Sequence, residues 1–158
     1  MENRYVCRVG STERIIAFRI KPESDLLKTI QKIAEEKNVK SGVIISGVGL
    51  LKQVRLRNCK TLPKEYPITD ANRYFITLNK PSEILVLSGN ISEVDGKALI
   101  HAHITLSSVE GDEVKFFGGH LTEGCIVFGQ AEIFVMELKN IDMCKKFDQE
   151  TKTVQLFM

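Results

Sequence analysis

The chain has 158 residues, which is long enough to bury the core of one domain without cross-links. Hydrophobic residues make up 43% and charged residues 27%, and the net charge of +2 does not predict a strongly electrostatic partner such as nucleic acid. No apolar run approaches membrane-spanning length, and the first residues are polar rather than signal-like. The four cysteines are widely spaced. We therefore expect a cytoplasmic protein with reduced thiols.

The first part of the chain predicts two strands followed by a helix. Residues 4–9 and 14–20 are strand-like runs. After them, apolar residues recur at helical spacing, and Ser24 is placed to cap the first turn. The apolar face of this helix is predicted to consist of Leu26, Leu27, Ile30, Ile33 and Ala34.

Most of the remaining chain predicts strands. Residues 42–58 are rich in β-branched residues, and Gly47 and Gly49 within them indicate a bulge or a close backbone approach. Two prolines in residues 62–72 favour a surface loop, after which the chain is predicted to be nearly all strand to about Leu138. The tail predicts one short final strand. The expected fold class is therefore α/β (α+β), a single domain with a mostly antiparallel sheet and one main helix.

All three histidines of the chain lie in one short segment, residues 97–121. Asp95 and Gly96, just before it, are a strong signal for a two-residue hairpin turn. Counting outward from this turn separates a polar face from an apolar face. The predicted polar pairs are Asn90 with His101 and Ser88 with His103. The predicted apolar face consists of Leu85, Leu87, Ile100, Ile104 and Leu106.

A second two-residue turn is predicted at Gly111 and Asp112. Counting outward from it places His103 directly opposite His120 on the next strand. His101 lies on the same face, because side chains alternate along a strand with period two. Directly opposed Cβ atoms are about 4.5–5.5 Å apart, so two rings can reach one ion. The sequence thus predicts three imidazoles on one face of a three-stranded meander.

This arrangement predicts a divalent-metal site formed by His101, His103 and His120. Zinc is the expected ion, because catalytic zinc sites combine three protein ligands with one open position, although nickel, copper, cobalt and iron also accept imidazole. Candidates for hydrogen bonds to the rings are Asn90, Ser88 and Thr122. Cys125 is a candidate fourth ligand if Glu123 and Gly124 form a tight turn. The alternative interpretation is a hydrogen-bonded polar face at a subunit contact that holds no ion.

Four segments occur in an order that resembles the PPC (plants-and-prokaryotes-conserved) domain family: SGVGLLKQVRLR, EILVLSGNI, HAHITLSS and GGHLTEGCIVFGQAEIFV. The resemblance covers about residues 5–138, and the predicted organisation is one PPC-like domain over residues 1–158 with a C-terminal tail at 139–158. It implies an antiparallel sheet that assembles as a homotrimer. It also implies a metal at the three histidines in some prokaryotic members.

Plant members of the family carry AT-hooks, and this sequence contains no such segment. It also has Lys80–Ser82 where the plant pattern has Gly-Arg-Phe. Two functions are therefore predicted. The first is a cytosolic, metal-binding homotrimer that takes a small-molecule ligand at the metal, with its reaction and even its status as an enzyme left open. The second is a regulatory or scaffolding trimer that contacts DNA or protein, although we expect no specific DNA binding.

Overall fold

The computed structural model describes residues 4–158. Within them, one α-helix, α1 (Leu26–Glu36), and nine strands form a single domain. The strands are β1 (Ser11–Ile20), β2 (Gly42–Cys59), β3 (Arg73–Leu78), β4 (Ser82–Val94), β5 (Lys97–Glu110), β6 (Glu113–Leu121), β7 (Ile126–Lys139), β8 (Cys144–Asp148) and β9 (Thr153–Phe157). A short 3-10 turn, Asp70–Asn72, lies in the loop before β3, which agrees with the predicted surface loop.

Strand β2 is the centre of the sheet. One of its edges pairs with β7 and then β6, while the other pairs with β4 and then β3. Because β4, β5 and β6 follow each other as antiparallel neighbours, the pairing path runs from β2 through them and back to β2. The register of β2 against β7 shifts near Ser46 and again after Gly49. These irregularities agree with the bulge predicted from Gly47 and Gly49. Bulges of this kind increase strand twist, which allows the sheet to curl.

Helix α1 packs against the buried, apolar face of the sheet. Its buried residues are Leu26, Ile30 and Ala34, and it packs on β5 and β7. The predicted Ser24 cap is wrong, because the Asp25 side chain accepts a hydrogen bond from the Lys28 N–H at 3.0 Å. The Ser24 carbonyl instead accepts from the Val127 N–H at 3.0 Å, which ties this residue to β7.

The predicted registers of β4–β5 and β5–β6 are confirmed, with one exception. Leu85 was expected in the core, but it is 44% exposed. The register shifts between Ile84 and Val86, and this bulge places Ile84 opposite Leu106 instead. The other predicted core residues of the meander, Leu87, Ile100, Ile104 and Leu106, are buried.

The two ends of the chain differ from the prediction. Residues 4–10 form no strand, and β1 begins at Ser11. The tail forms a hairpin of two strands, β8 and β9, rather than one strand. Its turn is held by Asp148, whose carboxylate accepts hydrogen bonds from the Thr151 N–H at 2.7 Å and hydroxyl at 2.6 Å. Among the described residues, no helix is both long and apolar enough to cross a membrane.

Candidate metal centre

His101, His103 and His120 come together at the surface of the meander. One ring nitrogen from each lies within 4.8 Å of those from the other two. The three ring centroids are 5.0 to 5.5 Å apart. Each ring meets the others at a tilt, between 45° and 89°, so the rings do not stack on one another.

Strand pairing produces this cluster directly. His103 is the cross-strand partner of His120, and His101 lies two residues from His103 along β5. Ile100, Ala102 and Ile104 alternate with these residues and are buried on the other side of the sheet. The backbone that positions the imidazoles is therefore fixed by core packing on its opposite face.

Burial and nearby cations keep two of the imidazoles neutral. Burial is the main cause that lowers the pKa of His101, and the charge of Lys145 adds to it. Burial also lowers the pKa of His120 to about 4, and the charge of Arg57 is the next cause. Neutral imidazole is the form that binds a metal ion, so neither residue needs to lose a proton at neutral pH.

The residues expected to surround the rings occupy different environments. Asn90 is the cross-strand partner of His101, and its Oδ1 is buried without a hydrogen-bond partner among residues 4–158. This Oδ1 is therefore an unused hydrogen-bond acceptor on the strand next to His101. Ser88 lies opposite His103 and is exposed, while the Thr122 hydroxyl donates to the Arg55 carbonyl at 2.7 Å.

Cys125 is not part of the cluster. The predicted turn at Glu123 and Gly124 does form, but it directs Cys125 into the core, where the residue is 0% exposed. Its Sγ exchanges hydrogen bonds of 3.3 Å with the backbone of Arg55. Burial raises the pKa of this thiol to about 11, so it is a poor source of thiolate. The prediction that Cys125 could complete the centre is therefore wrong.

The histidines open into a cavity of about 550 Å³. Three cationic side chains also line it: Arg57, Arg73 and Lys145. Arg57 on β2 is the cross-strand partner of His120, Arg73 begins β3, and Lys145 lies on β8. The sequence did not reveal these three residues, because they come from remote segments. No local pattern indicates that β8 and the start of β3 border the histidine face.

The arrangement provides three nitrogen donors on a fixed scaffold with open space beside them. These residues fit a divalent ion that prefers imidazole, and such an ion would supply a Lewis acid at this surface. Among the described residues, no Asp, Glu or Cys side chain completes the cluster. The described residues therefore offer three ligands of these types.

Fold and site together define a compact β-rich domain that carries an open three-histidine cluster on a curled antiparallel sheet. The family model described as the Plants and Prokaryotes Conserved (PCC) domain, the same family as PPC above, matches residues 7–139. The chain belongs to this family.

Solved structures from several organisms are similar to this chain. A metal-containing protein from Archaeoglobus fulgidus, AF0104, is 26% identical with a TM-score of 0.74, and the match covers 96% of this chain and 100% of that one. A plant- and prokaryote-conserved protein from Pyrococcus horikoshii is 29% identical with a TM-score of 0.75, covering 95% and 96%. A protein from Bacteroides thetaiotaomicron named as a candidate for DNA binding is 22% identical with a TM-score of 0.72, covering 95% and 98%, and shows the fold alone.

A curated relative is much longer than this chain. The bifunctional protein GlmU of Synechococcus sp. (strain JA-3-3Ab) is 27% identical over 143 residues, which is 90% of this chain and 20% of that protein. The chain thus spans about a fifth of the length of the curated relatives it matches.

Proposed function

We propose that this protein binds one divalent metal ion per chain through His101, His103 and His120. The observation that carries the proposal is the convergence of three ring nitrogens within 4.8 Å on one face of a packed sheet. Two of these rings have lowered pKa values, which favours the neutral, ligating form. The name of the A. fulgidus relative, a metal-containing protein, supports the same reading.

We propose zinc as the ion and a ligand from outside the chain as the completion of its shell. Zinc accepts three imidazoles and tolerates an open fourth position, at which it can polarise a bound molecule. Nickel, copper, cobalt and iron would also accept this donor set, so the experiment must identify the element. The cavity beside the histidines gives a small molecule access to that position.

Elemental analysis tests this proposal. Protein produced without a histidine tag should carry about one equivalent of a transition metal per chain after exhaustive dialysis. A His101→Ala, His103→Ala, His120→Ala variant, prepared in the same way and shown to be folded, provides the control. Equal metal content in the two proteins would contradict the proposal, since the ion would then lie elsewhere or be adventitious.

We further propose that the chain forms a homotrimer in the cytoplasm. Ile15, Phe134 and Val48 are exposed apolar residues on the adjacent strands β1, β7 and β2, and burying them in an interface would remove them from water. The four cysteines are free thiols, which suits a reducing compartment. Light scattering at micromolar concentration should report about three times the 17.8 kDa chain mass. A monomer would contradict the trimer.

A role in contacting DNA is the second candidate, and the cationic side chains in the cavity are the feature that favours it. The net charge of +2 argues against strong binding. We expect any association at physiological salt to be no tighter than ordinary non-specific binding, about 10⁻⁴–10⁻⁶ M. Fluorescence anisotropy with labelled duplexes of varied sequence can measure this. Nanomolar, sequence-specific binding would favour the second candidate over the first.

A further inference from the structure

We infer that the ligand at the open position of the proposed centre is a small oxyanion, a phosphate or carboxylate group, held by Arg57 and Lys145. The inference rests on the proposed function, because it assigns the chemical class of the molecule that completes the metal shell. It concerns two side chains that the histidine pattern does not include. Both line the same cavity as the three histidines.

Two of the three cations that line this cavity have no ion-pair partner among the described residues. Of the described residues that line it, none is Asp or Glu. Arg73 is neutralised from outside the cavity, because its Nη1 lies 2.7 Å from Asp70 Oδ1. Across residues 4–158, neither Arg57 nor Lys145 belongs to an ion pair. Two cations therefore border the histidines without an ion-pair partner, and the nearby carboxylate of Asp70 is already paired with Arg73.

Both cations are held close to the sheet rather than extended into water. Arg57 and Lys145 are each partly buried, whereas Arg55 and Lys146, their neighbours along the same strands, are exposed. Removing a charge from water is unfavourable unless a partner of opposite sign compensates it. An anion in the cavity would supply that partner.

A metal ion in the centre would increase the imbalance. Three neutral imidazoles leave the charge of a divalent ion uncompensated. The ion would then share a cavity with two unpaired cations. An oxyanion resolves both problems, because one oxygen can ligate the ion while the others accept hydrogen bonds from the guanidinium and ammonium groups. A neutral ligand would leave the charges of all three groups unopposed.

The remaining walls indicate what else the ligand carries. A volume of about 550 Å³ is larger than a lone phosphate needs and lies within the range of pockets for small organic molecules. Besides the histidines and the cations, the lining includes the apolar or aromatic side chains of Tyr66, Ile68, Leu99 and Val154. We therefore assign a small organic phosphate or carboxylate, with its charged group at the histidines and its body against this wall.

The test uses cobalt-loaded full-length protein, with inorganic phosphate and malonate as probes. Cobalt uptake is read first, from visible absorption at one equivalent per chain, and each anion is then titrated while the cobalt spectrum and the heat of binding are recorded. The test variants are Arg57→Gln and Lys145→Gln. Their matched controls are Arg55→Gln and Lys146→Gln, which remove the same charge from the same strands outside the cavity.

At least one probe should bind and change the cobalt spectrum. Each test variant should weaken this binding about tenfold or more, as expected for a lost charge-assisted hydrogen bond, while each control stays within about twofold of wild type. The affinity for cobalt should be equal to or higher than that of wild type in the test variants, because a charge that repels the ion is removed. The tighter probe identifies the phosphate or the carboxylate as the preferred group.

The outcomes separate the inference from the proposed function. If cobalt binds but neither anion changes its spectrum, or if Arg57→Gln and Arg55→Gln bind the anion equally, the inference is wrong and the metal centre stands. If wild-type protein takes up no cobalt, the proposed function is wrong, and this inference falls with it.

Discussion

His101 and His103 alternate along β5 with Ile100, Ala102 and Ile104, yet the two sets lie in different surroundings. The isoleucines and the alanine are between 1% and 8% exposed and pack into the core. His101 is half-buried and His103 is exposed, both beside the cationic cavity. A shift of one residue along the same strand thus separates the residues that stabilise the fold from those that present the site.

This separation implies that stability and ligand binding can be changed independently. Core residues of β5 contribute to the free energy of unfolding through buried apolar area and close packing. The histidines contribute donor atoms, and their replacement removes little apolar contact from the core. Substitutions at neighbouring residues, one on each face, measure whether the two faces act independently.

The largest effect on stability is expected for Leu106→Ala on the core face. Leu106 is 0% exposed, so its truncation should lower the free energy of unfolding by about 2–5 kcal/mol. Thr105→Ala is the matched control, because Thr105 is exposed on the histidine face and should change stability by less than about 0.5 kcal/mol. Urea denaturation of metal-free protein measures both. Similar losses of stability in the two variants would mean that the histidine face contributes to the free energy of unfolding as much as the core face does.

A smaller effect is expected from acidification of metal-free protein. The pKa of His120 is about 4 in the folded chain and near 6.5 when unfolded. Below pH 6.5 the unfolded chain therefore binds the extra proton, and stability falls until the pH reaches about 4. Because His120 is half-exposed, solvent screening limits its share to about 1–2 kcal/mol.

The comparison that isolates this share is between wild type and His120→Gln. The glutamine variant should lose less stability between pH 7 and pH 4 than wild type, as measured by urea denaturation across that range. Parallel pH profiles for the two proteins would show that His120 is not responsible. Metal affinity should also decrease as the pH is lowered. Because the pKa values of His101 and His120 are lowered, protons compete with the metal for these two rings only below pH 6.5.

The meander could be predicted from the sequence because short turns fix register. Asp95 and Gly96 both adopt positive φ, 48° and 77°, as a two-residue turn that matches strand twist requires. Once that turn is fixed, period-two alternation determines which residues face the core. Leu85 was misplaced because one bulge, between Ile84 and Val86, reverses the alternation beyond it.

Contacts between remote segments could not be predicted in this way. That Arg57 lies opposite His120 depends on β2 leaving β7 and joining β6 after its bulges. Lys145 reaches the cavity because β8 pairs in parallel with β4 at Glu93 and Cys144. Neither pairing has a local sequence signal, so the sequence predicts the histidine cluster but not the cations beside it.

Calorimetric titration of zinc into metal-stripped wild type and His103→Ala tests the claim that the three histidines form one metal centre. His103 is the cross-strand partner of His120 and lies two residues from His101, so its loss leaves only two of the three donors. We predict about one zinc per wild-type chain and an affinity lower by orders of magnitude in the variant, with an unchanged free energy of unfolding. Equal zinc affinity in the two proteins would contradict the claim and leave the histidines as a polar strand face.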